Sequence, residues 1–146
     1  MLKQRVITAV CLTSIFLVSL LWLPTIVFSL FVAIFLLIAA WEWASLSGFS
    51  RTYQKLIYCA VSACAAISLG VYLGLAFDNA IDNTRILPVF IAAGTWWAVA
   101  LLWVQGYPSS AVLWGHPWVR ALMGLFVLLP SGLALMFLHQ QPHGTW

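Results

Sequence analysis

Few residues in this chain can do acid–base or metal chemistry. The carboxylates are Glu42, Asp78 and Asp82, the histidines His116, His139 and His143, and the cysteines Cys11, Cys59 and Cys64. All three cysteines sit in apolar stretches without Cys-x-x-Cys spacing, so they read as small packing residues, not as zinc ligands or a disulfide framework. His139 and His143 are four apart, but Pro142 interrupts the helix that would align them, and no carboxylate or cysteine lies near in sequence to complete a metal site. Asp78 and Asp82 accompany Arg85 in a polar stretch and read as solvated loop residues. Phosphate-cradling Gly-x-x-x-x-Gly-Lys and Gly-x-Gly-x-x-Gly loops and a His-Glu-x-x-His zinc helix are absent from the sequence.

Glu42 is the exception. It is the only acidic residue before position 78, and it lies between Trp41 and Trp43 near the end of a long apolar run. A carboxylate there must reach water or a partner. It either snorkels to the membrane surface beside two interfacial indoles, which is the preferred reading, or pairs with a basic residue such as Arg51.

The elements that must hold these residues are membrane helices. The 146 residues are 64% hydrophobic and 6% charged, with mean hydropathy +1.06. A soluble domain carries about 25% charged residues, so this inventory cannot cover a water-facing surface. A net charge of +3 from dispersed residues excludes a nucleic-acid footprint. Crossing the hydrocarbon core takes about 20 apolar residues. Five runs qualify: Val6–Leu23, Pro24–Trp43, Leu56–Phe77, Ile86–Val104 and Val119–Leu138. They are continuous, not alternating, which selects helices over barrel strands. The first is read as a retained helix because no small-residue cleavage site follows it. The expectation is an all-α polytopic membrane bundle of about five transmembrane helices, one domain over residues 1–146 with no soluble domain.

Basic residues orient the bundle. With five spans, Lys3, Arg5, Arg51, Lys55 and Arg120 fall on one side and Arg85 on the other. The positive-inside rule then predicts a cytoplasmic N-terminus. Arg51 and Lys55, with Glu42, are candidate supporting or lipid-contact residues at that surface. On the third run, Ser62, Ala66, Gly70 and Gly74 recur every four residues. Such a face fits helix packing inside the bundle, in preference to a homo-oligomer interface. Trp96 and Trp97 point about 100° apart, so at least one is expected to pack on protein or face lipid.

Several stretches in order resemble the N-terminal half of a bacterial phosphatidate cytidylyltransferase, or CDP-diacylglycerol synthase. They are Met1-Leu2-Lys3-Gln4-Arg5-Val6-Ile7-Thr8-Ala9; Ala39-Ala40-Trp41-Glu42-Trp43 with Leu46-Ser47-Gly48-Phe49; Trp96-Trp97 with Val99, Leu101 and Leu102; and Tyr107-Pro108 with Ser110 and Trp114. The resemblance implies a multi-pass enzyme of the bacterial inner membrane that joins CTP and phosphatidate into CDP-diacylglycerol and pyrophosphate with Mg²⁺. It also implies that the lipid bilayer, phosphatidate and CTP are its partners. The family's Gly-Gly-x-x-Asp-Arg-x-Asp type signature is missing, since neither Asp78 nor Asp82 is followed by Arg. The expectation is therefore a fragment or truncated member, inactive alone, with no catalytic, cofactor or metal residue carried over to this chain. A non-enzymatic membrane scaffold or assembly subunit is the competing expectation. In a full-length relative, Glu42→Gln is expected to cost more activity or folding yield than Arg85→Gln.

Overall fold

The computed structural model describes residues 2–74 and 83–140, and all regular structure among them is helical. In chain order the helices are α1 (Leu2–Trp22), α2 (Thr25–Ser47), α3 (Thr52–Tyr72), α4 (Asn83–Gln105), the short α5 (Ala111–Trp114) and α6 (Pro117–Gln140). Four of them, α2, α3, α4 and α6, are long and apolar enough to cross a membrane, and Val6–Trp22 of α1 adds a shorter apolar stretch. The chain is thus a multi-pass membrane protein by helix length and composition. At about 1.5 Å per residue, α2 is about 34 Å long, a little more than the hydrocarbon core.

The five long helices match the five apolar runs, but their ends differ for a physical reason. Hydropathy drops at Glu42, yet α2 continues to Ser47, because a helix ends where the backbone cannot continue, not where polarity begins. Gly48 supplies the stop with φ +100°, and the Phe49 N–H donates to the Ala44 carbonyl at 3.1 Å. That closure satisfies orphan carbonyls and turns Phe49 into the core. The third helix begins at Thr52, four residues before its apolar run, with the Arg51 N–H donating to Gln54 Oε1 at 3.3 Å.

Helix α6 is the centre of the bundle: α2 packs along it most extensively, and α3, α4 and α5 also touch it. Two apolar clusters stand at opposite ends. At the Gly48 end, Ala40, Ala44, Phe49, Tyr58 and Ala121 are buried together. At the Pro24 end, Leu73, Ile86 and Leu133 join α3, α4 and α6. Most of α1 is exposed, with Ser19 buried and Phe16 against Phe28 and Phe31 of α2. An exposed apolar helix surface is ordinary in lipid, where burial does not drive helix association.

Candidate functional site

The Gly48 end gathers Trp41, Glu42 and Trp43 of α2, Arg51 before α3, Lys55 on its first turn, and Arg120 on the first turn of α6. A clamp fixes their helices. Trp43 Nε1–H donates to the Arg120 carbonyl at 2.8 Å, and the Tyr58 hydroxyl donates to the Ala121 carbonyl at 2.9 Å. Both carbonyls lie inside α6, so these bonds are second acceptances beside the helix's own. Gly124 makes them reachable. A Cβ on a helix covers the turn before it, and one at position 124 would overlap the Trp43 indole and the Tyr58 hydroxyl. Three helices are thus held by two aromatic donors and one missing side chain. Ser62 Oγ, fully buried a turn beyond Tyr58, donates to the Tyr58 carbonyl at 2.8 Å.

Glu42 points away from this clamp. It is exposed, and among the described residues it forms no ion pair. The alternative in which it pairs with Arg51 is not what the fold builds. The Arg51 guanidinium lies 6.0 Å from the Tyr53 ring centre instead, and Lys55 Nζ stands 5.4 Å from the Trp41 ring centre. Arg120 donates through Nε to the Trp114 carbonyl at 3.1 Å, with its guanidinium 5.9 Å from that indole. Cations over aromatic faces at a membrane end keep their charge near the surface while their stems and partners stay apolar.

The small-residue face of α3 is shorter than its spacing suggested. Ser62, Ala66 and Gly70 lie on the helix, but α3 ends at Tyr72, and Gly74 stands beyond it with φ +83° and nothing within 4 Å of a built Cβ. Gly74 therefore turns the chain beyond α3 and does not extend that helix's small-residue face. Trp96 stacks on Phe126 at 5.3 Å and meets Trp103 edge-on at 5.8 Å, while Trp97 is exposed. Among the described residues, the buried Ser47 Oγ and Trp96 Nε1 have no hydrogen-bond partner.

The Pro24 end carries a second polar tie. His139 Nδ1 lies 2.8 Å from the Leu20 carbonyl, and since a carbonyl only accepts, Nδ1 carries the proton. The fourth residue after Leu20 is Pro24, which has no N–H to give, so the last turn of α1 leaves that carbonyl orphaned. The imidazole stacks on Phe28 at 4.3 Å and ties α1 and α2 to α6. His143, Asp78 and Asp82 lie outside the described residues. Arg85 is not a free loop residue but begins α4, and its Nη1 donates to the Tyr72 carbonyl at 3.0 Å. It caps α3 with a positive charge where the helix dipole favours one.

For the stability of this chain, as distinct from the activity of a full-length relative, the geometry sets a different expectation for the two charged residues. Arg85→Gln is expected to destabilise the chain by about 0.5–1 kcal/mol through the lost cap. Glu42→Gln is expected to leave stability within about 0.5 kcal/mol, because no described partner is lost. Denaturation midpoints of the two variants in one detergent check the order; a larger loss at Glu42 would contradict it.

Among the described residues no three His, Cys, Asp or Glu side chains approach closely enough to hold a metal ion. Mg²⁺ takes carboxylate and phosphate oxygens, and Glu42 is the single carboxylate in the described segments. The described residues do not fit a resident Mg²⁺. Sequence reasoning found the Trp-Glu-Trp stretch, but it missed Tyr58 and Gly124, and it weighed His139 only as a metal ligand and not as a tie between helices. Their signal was faint: a tyrosine, a glycine and a histidine, each within an otherwise apolar helix.

The model of the Cytidylyltransferase family matches residues 3–146. A phosphatidate cytidylyltransferase of Pseudomonas aeruginosa is 36% identical over 142 residues, covering 97% of this chain and 49% of that protein. The phosphatidate cytidylyltransferase of Haemophilus influenzae is 30% identical over 154 residues, covering 100% of this chain and 52% of that protein. The chain thus spans about half the length of the curated relatives it matches. No solved structure matches it. A match over residues 3–146, together with an all-helical membrane architecture, places this chain in the cytidylyltransferase family.

Proposed function

We propose that these residues form the membrane-embedded, non-catalytic part of a CTP:phosphatidate cytidylyltransferase of the bacterial inner membrane. The observation that carries this reading is the similarity to two phosphatidate cytidylyltransferases over essentially the whole chain. In the reaction, a phosphate oxygen of phosphatidate attacks the α-phosphorus of CTP. The bond from that phosphorus to the bridging oxygen breaks, giving CDP-diacylglycerol and releasing pyrophosphate. Among the described residues no three metal-ligating side chains gather, and Glu42 is the single carboxylate, so the Mg²⁺-binding and phosphoryl-transfer groups are assigned to other residues.

In this reading the Gly48 end faces the cytoplasm, where CTP is found, and the N-terminus lies on the same side. The five-to-one distribution of Lys and Arg supports that orientation. The exposed Arg51 and the half-buried Lys55 draw the acidic headgroup of phosphatidate to that surface, each contributing about 1 kcal/mol. The Trp43–Tyr58–Gly124 clamp keeps α2, α3 and α6 in register, so the cations stay at fixed positions. Membranes containing only these 146 residues, given CTP and phosphatidate, should form no CDP-diacylglycerol. Product above the level of control membranes would defeat the assignment.

A further inference from the structure

The connection between α4 and α6, residues 106–116, has the composition of a membrane surface and not of a water-facing loop. No Asp, Glu, Lys or Arg occurs between Arg85 and Arg120, whereas the α2–α3 connection carries Arg51. Val112 is 89% exposed and Leu113 60%, and Tyr107 and Trp118, on either side in the chain, are exposed as well. Apolar groups gathered in this way favour a second phase over water. The connection is also held down. Ser110 Oγ donates to the Trp103 carbonyl of α4, and Arg120 Nε of α6 donates to the Trp114 carbonyl at 3.1 Å. The Tyr107 and Trp114 rings stack at 6.3 Å across the turn between them. Both helices are of membrane-spanning length, so these ties keep the connection at the level where they reach the membrane surface.

Its backbone suits a medium short of water. The N–H groups of Gly106, Tyr107, Ser110, Ala111 and Leu113 donate to carbonyls of the connection or of the last turn of α4, and Pro108 has no N–H to satisfy. A segment whose backbone is satisfied can enter the interface at low cost. The lipid-facing surface also runs into it without a break, since Leu101, Leu102 and Val104 are exposed at the end of α4 and Leu122 at the start of α6. Tyr and Trp favour the headgroup level, where the ring is apolar and its O–H or N–H is wet. We propose that residues 106–116 lie in the membrane interface, with Val112 and Leu113 among the upper acyl carbons and the rings of Tyr107, Trp114 and Trp118 at the headgroups. The partner is the lipid surface, held by apolar insertion and not by charge. Anchored so, the connection fixes the depth at which α6 begins, and with it the Arg120 end of the Trp43–Tyr58 clamp. It does so whether or not the proposed activity is correct.

The test places a genetically encoded, diazirine-bearing amino acid at position 113 of the full chain in phosphatidylcholine nanodiscs. Leu113 is exposed, so the change disturbs little packing; position 112 serves if the first variant folds poorly by circular dichroism. On illumination the carbene inserts into whatever covers it, and mass spectrometry separates adducts of water, lipid and a second chain. The same amino acid at Leu101 reports the lipid-facing surface, and at the exposed Ser50 the α2–α3 connection. Lipid adducts per water adduct at position 113 should exceed those at Ser50 by about tenfold and approach those at Leu101, because apolar groups of an interfacial segment sit about 5–10 Å into the headgroup–acyl boundary. The ratio should stay the same when phosphatidylglycerol replaces part of the phosphatidylcholine. A hybrid that adds the remaining half of the Pseudomonas aeruginosa relative should give the same lipid adducts. Water adducts at the Ser50 level, crosslinks to a second copy or to the added half, or a ratio that rises with acidic lipid would overturn the proposal.

Discussion

Gly124→Ala is expected to destabilise the chain by about 2–4 kcal/mol, although alanine is the better helix former. The two effects oppose each other and their sizes decide the sign. Removing a glycine from a helix interior contributes about 1 kcal/mol of stability. Forcing a methyl group into a packed site costs about 1–3 kcal/mol. Here the displaced groups are hydrogen-bond donors, and leaving the Trp43 N–H and the Tyr58 hydroxyl unpaired in an apolar interior adds about 1–3 kcal/mol more. Gly94 is the internal control, since nothing lies within 4 Å of a Cβ built there. Gly94→Ala should be neutral or stabilising by up to about 1 kcal/mol. Steric-trap or denaturant titrations of both variants in the same detergent would show the contrast. Equal behaviour of the two would mean that the clamp does not hold α2 and α3 to α6.

His139→Phe is expected to cost about 1–2 kcal/mol by taking the proton from the Leu20 carbonyl while keeping a ring against Phe28. The cost exceeds the roughly 0.6 kcal/mol average for hydrogen bonds between membrane helices because, among the described residues, no other donor reaches that carbonyl. The reason is Pro24, so the cost should depend on it. With alanine at position 24, a backbone N–H becomes available to Leu20, and the same His139→Phe change should cost about half as much or less. A double-mutant cycle measures this coupling, expected at about 0.5–1 kcal/mol. Strict additivity would show that the histidine acts through packing alone.

Most of the architecture was legible in the sequence because lipid imposes one rule: a spanning segment must satisfy its own backbone and stay apolar for its whole length. The five runs and their order follow from that. Helix ends were less legible, since Gly48 and Gly74 act through backbone conformation and hydropathy does not register it. Gly74 in particular continued a four-residue spacing in sequence that the helix had already abandoned at Tyr72. The clamp was hidden for another reason. Trp43, Tyr58 and Gly124 meet only through the relative register of three helices, and apolar helices carry little information about which neighbour each will choose. Trp41-Glu42-Trp43 looked like a place for chemistry on composition alone. The fold makes Trp43 a tie and leaves Glu42 on the outer face.

We propose above that this chain supplies the membrane-embedded part of a phosphatidate cytidylyltransferase. It is tested most directly by a hybrid in which residues 3–146 replace the matching residues of the Pseudomonas aeruginosa enzyme, assayed for CDP-diacylglycerol in membranes. The hybrid is expected to form product, and Gly124→Leu in the same hybrid is expected to abolish it. A hybrid that inserts and folds yet forms no product, or one indifferent to Gly124→Leu, would contradict the proposal.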